Sequence, residues 1–297
     1  MKKYNACILL ATYNGEKYLS DLMNSLIKQK AIDLTIFARD DGSSDKTIEI
    51  LKKYSSDVKI ILINGNHSGP RVGFLELLHL APEADFYAFC DQDDVWLPDK
   101  LQNACSKLKE IDSNVPCLYC SGLRLVDSNL SPIYFKKINE KRSEFGRFIF
   151  PGVAGCSMVF NRSLQQLVGA SNPAYTRMHD VWIYNICASV GGKIILDKDS
   201  YILYRQHENN AVGIKKQSLR TTYKTYVKEI QVAKNIQSLL ECYSSKMTPA
   251  YLSFCNTVAK SNNSFLCRLK LFFSKKIIFG SIGLNLLFKL KIILRRM

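Results

Sequence analysis

Three carboxylates follow a short apolar run near the end of the first hundred residues. Asp91, Asp93 and Asp94 come directly after Phe86–Cys90, a run that is typical of a buried strand. Carboxylates this close together repel one another and lose solvation, so they favour a bound cation. Oxygen ligands of this kind suit Mg²⁺ or Mn²⁺, often together with substrate phosphates. The segment therefore predicts a metal–diphosphate site, with an acidic turn capping a helix near Pro98 as the alternative.

Strand-like runs alternate with helix-like stretches in the region around this cluster. The strand-like runs are 6–11, 34–38, 58–63 and 86–90, and the helix-like stretches are 16–29, 45–54, 72–80 and 98–111. This alternation predicts a parallel sheet in a doubly wound α/β layer. Ligands bind beyond the carboxyl ends of the strands in such sheets.

The four strand ends carry polar residues that could bind one ligand together. Their sequences are Ala11-Thr-Tyr-Asn14, Arg39-Asp-Asp-Gly-Ser-Ser-Asp45, Asn64-Gly-Asn-His-Ser-Gly-Pro-Arg71 and the acidic cluster. We expect a hydroxyl, an aromatic ring, carboxylates, glycines and an arginine to meet in one crevice. Such convergence favours a ligand site over an isolated acidic turn.

The pattern beyond residue 112 is more mixed. Strands are predicted at 117–126, 155–160, 193–196 and 201–205, a helix at 178–190, an irregular loop at 127–147 and helical structure from about 217 onwards. Within that last stretch, Tyr226, Ile230, Ala233 and Ile236 recur at helical spacing. This organisation predicts a catalytic domain at 1–214 and a helical region at 215–297.

Positive charge is concentrated at the C-terminal end of the chain. The net charge is +15, and residues 215–297 hold 16 lysines and arginines but only two acidic residues. In 265–297 basic residues alternate with leucine, isoleucine and phenylalanine, without an apolar run long enough to span a membrane. This pattern predicts peripheral contact with an anionic membrane surface, and a basic helix packed on the core is the alternative.

The N-terminal sequence and the cysteines bear on location. The apolar run 6–11 is too short for the core of a secretory signal peptide, and it is typical of a strand. Ten cysteines are scattered through apolar runs, a pattern that favours buried thiols in a reducing compartment. We therefore expect a cytoplasmic protein, peripheral on the inner face of a bacterial cytoplasmic membrane.

The ordered motifs resemble those of the inverting glycosyltransferases of family 2. The segments that carry the resemblance are 11–19, 40–45, 91–96, 155–162, 179–182 and 204–210. The later segments resemble the bacterial rhamnosyltransferase-like branch, which builds surface polysaccharides such as capsule and O-antigen. The resemblance covers about residues 4–212. It implies a GT-A fold, a Rossmann-like nucleotide-binding layer with a mixed central sheet, divided into a donor half (1–112) and an acceptor half (113–214).

The resemblance also implies a donor-binding role for several strand-end residues. Thr12 and Tyr13 would lie against the base and ribose, and Asp40 would accept from the base. Arg71 would contact the diphosphate or the base. Asp91, with Gln92 beside it, would hold the donor ribose.

Two further residues are implied metal ligands, and one is an implied base. Asp93 would bind Mn²⁺ or Mg²⁺, and His207 would help to ligate the metal or close over the diphosphate. Asp180 would remove the proton from the acceptor hydroxyl. His179 precedes it where many relatives carry Glu, and its role stays open between a sugar contact and the start of a helix. Asp94 is an additional carboxylate.

The expected activity is transfer of a sugar, with inversion, from a nucleotide-diphosphate donor to a lipid-linked or polysaccharide acceptor. The donor stays open between dTDP-rhamnose and UDP-hexoses. One alternative is a nucleotidyltransferase or sugar-nucleotide pyrophosphorylase, which would need a glycine-rich basic loop that 11–17 lacks. A second is a nucleic-acid-binding protein, although the basic residues lie mostly in an amphipathic tail, so we expect no nucleic-acid partner.

Overall fold

The structure is a computed structural model that describes residues 3–208 and 231–297. The described chain forms two compact units that alternate along the sequence. The first unit comprises 3–138, 153–170 and 192–208, and the second comprises 139–152, 171–191 and 231–297. The sequence-based division at residue 214 differs from this grouping, which unites two internal segments with the C-terminal helices. Tyr226 and Ile230 lie outside the described residues.

The first unit contains eleven strands among the described residues. They are β1 (Tyr4–Thr12), β2 (Ile32–Asp40), β3 (Lys59–Asn64), β4 (Phe86–Asp91), β5 (Val95–Trp96), β6 (Cys117–Cys120), β7 (Leu123–Val126), β8 (Pro132–Lys136), β9 (Val159–Asn161), β10 (Lys193–Leu196) and β11 (Ile202–Arg205). Seven of them form a sheet in the order β10-β6-β9-β4-β1-β2-β3. In this sheet β4, β1, β2 and β3 are parallel neighbours, and β9 runs antiparallel to β4 and β6.

The central strands of this sheet are almost entirely buried. Residues 6–10 of β1 and 86–90 of β4 have buried side chains on both faces of the sheet. Parallel strands covered on both faces are expected to have continuous apolar sequences rather than alternating ones. The two apolar runs therefore lie at the centre of the sheet, and the polar residues that follow them come to its edge.

A second sheet has four strands in the order β5-β11-β7-β8. The predicted strand 117–126 is two strands, β6 in the first sheet and β7 in the second. The chain changes sheets at Gly122, where an added Cβ would lie 2.8 Å from the Phe135 ring and 3.0 Å from the Lys136 carbonyl oxygen. The predicted strand 155–160 likewise begins as a 3₁₀ turn, Gly155–Ser157, before β9. The predicted loop at 127–147 contains the edge strand β8.

Helices of the first unit connect the strands. They are α1 (Glu16–Leu26), α2 (Thr47–Tyr54), α3 (Gly69–Leu80), α4 (Lys100–Lys109) and α6 (Arg162–Gly169). Asn161 caps α6 by accepting a hydrogen bond from the Leu164 N–H at 3.1 Å. Each of the first three helices begins within a few residues of a polar strand end, so the strand ends and helix N-termini form one region.

The second unit is helical. Its helices are α5 (Glu144–Ile149), α7 (His179–Ser189), α8 (Val232–Tyr243), α9 (Pro249–Lys260), α10 (Phe265–Phe272) and α11 (Ile282–Ile293). Helix α7 is buried along almost its whole length, and Asn235 of α8 donates to Asn185 of α7 at 3.1 Å. The apolar character of α7 on all sides explains why it groups with the C-terminal helices instead of covering the sheet alone.

These features confirm the predicted α/β class, with a mixed central sheet followed by C-terminal helices. Across residues 3–208 and 231–297, no helix has both the length and the apolar character needed to cross a membrane.

Candidate active site

The carboxyl ends of four parallel strands meet at one edge of the large sheet. In the strand register Thr12 lies beside Asp40, Ala11 beside Asp91, and Asp40 beside Asn64. We call this region, with the loops 12–16, 40–47, 64–71 and 91–94, the strand-end edge. The structure thus brings most of the predicted donor-binding residues together.

Asp40 organises the loop that follows β2. Its carboxylate accepts hydrogen bonds from the Thr12 hydroxyl at 2.9 Å, the Ser43 hydroxyl at 2.6 Å, the Ser43 N–H at 2.8 Å and the Gly42 N–H at 3.2 Å. A carboxylate has about four acceptor positions, so the chain itself fills those of Asp40. The expected contact between Asp40 and a nucleotide base stays a prediction, and it would replace one of these donors.

Gln92 fixes the backbone of Tyr13. The Gln92 side-chain oxygen accepts from the Tyr13 N–H at 2.8 Å, and the Gln92 amide donates to the Tyr13 carbonyl at 2.9 Å. Gly15 leaves space for this amide, because an added Cβ would lie 2.7 Å from Gln92 Cδ. The Tyr13 ring is 43% exposed and its centroid lies 4.5 Å from that of His67. An exposed ring on a fixed backbone can stack against a planar ligand group.

The loops after β1 and β2 are joined by side-chain-to-backbone hydrogen bonds. The Asn14 N–H donates to the Ser43 hydroxyl at 2.8 Å, and the Ser44 N–H donates to the Asn14 side chain at 2.9 Å. The Glu16 N–H donates to the Asp45 carboxylate at 3.0 Å. These bonds hold the two loops in one conformation, which preorganises the strand-end edge for a ligand.

Arg39 stabilises the loop after β3 through side-chain hydrogen bonds. Its buried guanidinium donates to Glu76 at 2.6 Å, to Asp41 at 2.7 Å and to the Ser68 hydroxyl at 2.8 Å. Burial acts to raise the pKa of Asp41, but hydrogen bonds from the Gly69 N–H, Arg39 and the Ser68 N–H outweigh it and lower the pKa. Asp41 is therefore an anion that binds the loop.

Arg71 lies in the first turn of α3, at the end of this loop. Its side chain is exposed. The predicted diphosphate contact thus lies at the strand-end edge, in a helix whose first N–H groups, of Ser68 and Gly69, already donate to the Asp41 carboxylate.

Asp93 and His207 are in direct contact. The distance between Asp93 Oδ2 and His207 Nε2 is 2.8 Å, and both side chains are 15% exposed. The His207 ring also packs against Tyr18, with ring centroids 4.9 Å apart. Two residues 114 positions apart in sequence, both predicted metal ligands, therefore lie together at the end of β4.

Arg205 joins the segment that carries His207 to the acidic loop. Its guanidinium donates to the Asp93 carbonyl at 2.8 Å, to the Ser128 carbonyl at 2.6 Å and to the Asp21 carboxylate at 2.8 Å. It also lies over the Tyr18 ring, 4.4 Å from the centroid. Because the guanidinium is buried and held from several sides, it fixes Asp93 relative to His207.

Asp94, the last residue of the acidic loop, and Lys100, the first residue of α4, are both fully buried. Asp94 Oδ1 accepts from the Arg205 N–H at 3.1 Å, and Oδ2 has no hydrogen-bond partner among the described residues. Burial raises the pKa of Asp94 well above its usual value, and the charges of Asp93 and Asp91 add to the shift. Burial lowers the pKa of Lys100 to about 8, and its ammonium lies 3.4 Å from the Trp96 ring centroid. Trp96 is thus a core residue.

The donor groups at the acidic loop fit a divalent metal. Ligand atoms of Asp91, Asp94 and Cys156 lie within 4.8 Å of one another, and Asp93 and His207 form the pair described above. Burial raises the pKa of the Cys156 thiol well above its usual value, so the thiol stays protonated and is a poor ligand. Asp94 is a poor ligand for the same reason, since burial raises its pKa as well. The carboxylates of Asp91 and Asp93 and the imidazole of His207 remain, a set that suits Mn²⁺, and Mg²⁺ where the ligands are oxygen alone.

Asp180 belongs to the second unit, as the second residue of α7. It is half-buried, and its carboxylate accepts from the Val181 N–H at 2.7 Å. His179 before it is buried, and burial lowers its pKa to about 3, so the imidazole is neutral. Trp182, in the next turn, is fully buried and donates to the Ser171 hydroxyl at 3.3 Å.

Several residues that organise this site were not singled out from the sequence. They are Arg39, Tyr18, Asp21, Lys100 and, within a quoted motif, Arg205. The buried role of Arg39 could have been predicted from the sequence, because a charged residue in the apolar run before Asp40 must find buried partners. The partners of Arg205 are 77 to 184 positions away, so no local pattern identifies them.

Comparison with known proteins identifies the family of this chain. The sequence model of glycosyl transferase family 2 matches residues 7–167, more than half of the chain. A dTDP-rhamnosyl transferase of Shigella flexneri, RfbG, is 29% identical over 221 residues, which cover 69% of this chain and 73% of the relative. The Escherichia coli protein WfgD, named as a UDP-Glc:α-D-GlcNAc-diphosphoundecaprenol β-1,3-glucosyltransferase, is 28% identical over 40% of this chain and 46% of its own length.

Solved structures agree in fold. Staphylococcus aureus TarS residues 1–349 in complex with UDP-GlcNAc superimposes with a TM-score of 0.61 at 19% identity, covering 93% of this chain and 74% of that one. A mannosyltransferase of Pyrobaculum calidifontis with GDP-mannose and Mn²⁺ has a TM-score of 0.54 at 15% identity, covering 91% of this chain and 72% of that one. The GT-A fold expected from the motifs is thereby confirmed. The chain belongs to glycosyl transferase family 2.

Proposed function

We propose that this glycosyltransferase moves a sugar from a nucleotide-diphosphate donor to a saccharide or lipid-linked saccharide acceptor, with inversion at the anomeric carbon. The observation that carries the proposal is the contact between Asp93 and His207 at the edge where β1 ends in Thr12 and β4 ends in Asp91. Tyr13 follows Thr12 directly at the same edge. A fixed aromatic ring, carboxylates and an exposed arginine match the three parts of such a donor: base, ribose and diphosphate.

The donor would lie across the strand-end edge. Tyr13, held by Gln92, would contact the base, and Thr12 and Asp40 would shape the pocket around it. Asp91 would accept from the ribose hydroxyls. Arg71 would contact the diphosphate through charge-assisted hydrogen bonds.

Asp93 and His207 would hold a divalent metal beside the diphosphate. The chemistry that Mn²⁺ or Mg²⁺ would supply when bound there is neutralisation of negative charge on the leaving nucleoside diphosphate. Arg205 contributes by fixing the backbone of Asp93, and it stays with the acidic loop because its guanidinium is buried.

Asp180 is the proposed general base. Its carboxylate would take the proton of the acceptor hydroxyl as the oxygen forms its bond to the anomeric carbon and the bond to the diphosphate breaks. Attack opposite the leaving group inverts the configuration. The neutral His179 before it would not compete for the proton, because its pKa is about 3.

The relatives favour particular donors and acceptors without deciding between them. RfbG carries the name of a dTDP-rhamnosyl transferase, which favours dTDP-rhamnose, and TarS is solved with UDP-GlcNAc, which favours a UDP-linked sugar. WfgD is named for a diphosphoundecaprenol-linked acceptor, which supports a lipid-linked acceptor. We place the enzyme on the inner face of the cytoplasmic membrane, in the synthesis of a surface polysaccharide such as capsule or O-antigen.

The base assignment can be tested with a donor panel. The full chain is incubated with dTDP-rhamnose and with UDP-sugars, Mn²⁺ or Mg²⁺ and a saccharide acceptor, and release of the nucleoside diphosphate is followed. Asp180→Asn is expected to lower kcat by about 10²–10⁴-fold, because a positioned base contributes about that much. Its affinity for the nucleoside diphosphate is expected to stay unchanged.

Asp33→Asn is the matched control, since Asp33 is an exposed aspartate at the start of β2. It should keep wild-type turnover. Full turnover in Asp180→Asn would remove the base assignment, and loss of nucleotide affinity in that variant would indicate a structural role instead.

A further inference from the structure

Helix α10 exposes apolar side chains that a folded protein normally covers. Leu266, Leu269 and Phe273 are 69%, 37% and 71% exposed, and they recur at intervals of three and four residues. This spacing places them on one face of the helix. Leu271 is the buried side chain on the opposite side.

Helix α11 repeats the arrangement. Ile282, Leu286 and Ile293 are 82%, 61% and 61% exposed, and Lys289 is exposed between them in sequence. The four residues are separated by four, three and four positions, so they form one stripe along the helix. The other face of α11 is buried within the second unit and includes Phe288 and Ile292.

Helices α10 and α11, which carry the two exposed faces, are in contact. The Lys289 ammonium of α11 lies 5.0 Å from the ring centroid of Phe272 in α10. Together the faces form what we call the α10–α11 surface. Its apolar members are Leu266, Leu269, Phe273, Ile282, Leu286 and Ile293. Several exposed apolar side chains on two neighbouring helices are typical of a binding surface.

The segment that carries this surface is rich in positive charge. Residues 242–297 contain ten lysines and arginines and no aspartate or glutamate. The exposed basic residues of this region are Lys246, Lys260, Lys270, Lys275, Lys276, Lys289, Arg295 and Arg296, six of which lie on or beside α10 and α11. A binding partner must therefore be both apolar and anionic.

We propose that the α10–α11 surface docks the enzyme on an anionic lipid bilayer. Protruding leucine, isoleucine and phenylalanine side chains can enter the acyl region while the lysines and arginines meet lipid phosphates. A second copy of the chain would bring like charges together, which disfavours association. A nucleic acid would leave the aliphatic stripes exposed to water.

The proposal gives the lipid-linked acceptor of the proposed function a physical location, yet the surface is independent of the transfer chemistry. Its residues lie in the second unit, on helices that carry no proposed donor, metal or base residue. Docking and catalysis can thus be tested separately.

Vesicle co-sedimentation of the full chain provides the test. Phosphatidylcholine vesicles are compared with vesicles that also contain phosphatidylglycerol. We expect at least tenfold tighter binding to the anionic vesicles, weakening as salt is raised. Leu266→Ser combined with Ile282→Ser should weaken binding at least tenfold, and so should Lys275→Glu combined with Lys276→Glu. Release of nucleoside diphosphate with a soluble saccharide acceptor should be unchanged in both variants.

Matched controls exist in the first unit. Leu80→Ser removes a 56% exposed leucine from α3, and Lys52→Glu with Lys53→Glu reverses an exposed basic pair on α2. Both should bind vesicles like the wild type. The proposal is overturned if anionic vesicles are not retained, if the controls weaken binding equally, or if the α10–α11 variants change only DNA retention on filters or only the oligomeric state.

Discussion

Asp40 and Asp93 are carboxylates of the same strand-end edge with different surroundings. The donors around Asp40 come from its own loop and from Thr12, so its negative charge stabilises the backbone. Asp93 lies against His207, whose imidazole is itself a common metal ligand. The identities of both aspartates follow from the sequence motifs, but the difference between their surroundings depends on contacts that only the fold provides.

His179 is expected to make the stability of the protein depend on pH, because its buried imidazole is neutral in the folded state. Burial lowers its pKa from the usual 6.5 to about 3, so the unfolded chain takes up a proton first as the pH falls. The stability it supports is complete above pH 6.5 and is lost as the pH falls towards 3. At pH 5 the loss should be about 2 kcal/mol, at about 1.4 kcal/mol per pH unit.

Urea unfolding at several pH values between 7 and 5 measures this effect. His179→Phe should show a shallower loss of unfolding free energy than the wild type over that range. His79→Phe, at an exposed position of α3, should keep the wild-type dependence. Equal pH dependence in wild type and His179→Phe would mean that the imidazole is not buried as described.

At the scale of elements, the loop after β3 depends on close packing of its Gly65 backbone against the Arg39 side chain. Gly65 lies against the guanidinium of Arg39, and an added Cβ would overlap it. The guanidinium cannot move aside freely, because Glu76, Asp41 and Ser68 hold it. The position of the loop that ends at Arg71 is thus linked to one buried residue of β2.

Gly65→Ala is therefore expected to destabilise the protein by about 1–3 kcal/mol, as overpacking does. It should also weaken binding of a nucleoside diphosphate, since the loop at 64–71 must shift. Gly283→Ala in α11 is the matched control, because the nearest atom to its added Cβ is 3.9 Å away. That variant should be as stable as the wild type or slightly more stable. Wild-type stability in Gly65→Ala would contradict the described packing.

Some elements of the fold can be predicted from sequence patterns alone, and others cannot. The four parallel strands follow from apolar runs that alternate with amphipathic stretches, because burial on both faces dictates their composition. The change of sheets at Gly122 could not be predicted, because the mostly apolar run 117–126 carries no information about which sheet each half joins. Local patterns identify strands, whereas the contacts around Gly122 decide their partners.

For the whole molecule, the two compact units interleave along the sequence. The concentration of positive charge in residues 215–297 is evident from composition, and the structure adds that much of the described part of this charge accompanies exposed apolar helix faces. The inclusion of 139–152 and 171–191 in the helical unit could not be predicted, because it depends on long-range packing such as that between Asn185 and Asn235.

The most direct test of the central claim is a calorimetric titration of the full chain with dTDP and with UDP, in the presence and absence of Mn²⁺. The account predicts that one nucleoside diphosphate binds in a metal-dependent way. It further predicts that Asp93→Asn weakens this binding at least tenfold, about 1.4 kcal/mol, while Asp33→Asn does not. Binding that needs neither Mn²⁺ nor Asp93, or no binding of either nucleotide, would contradict it.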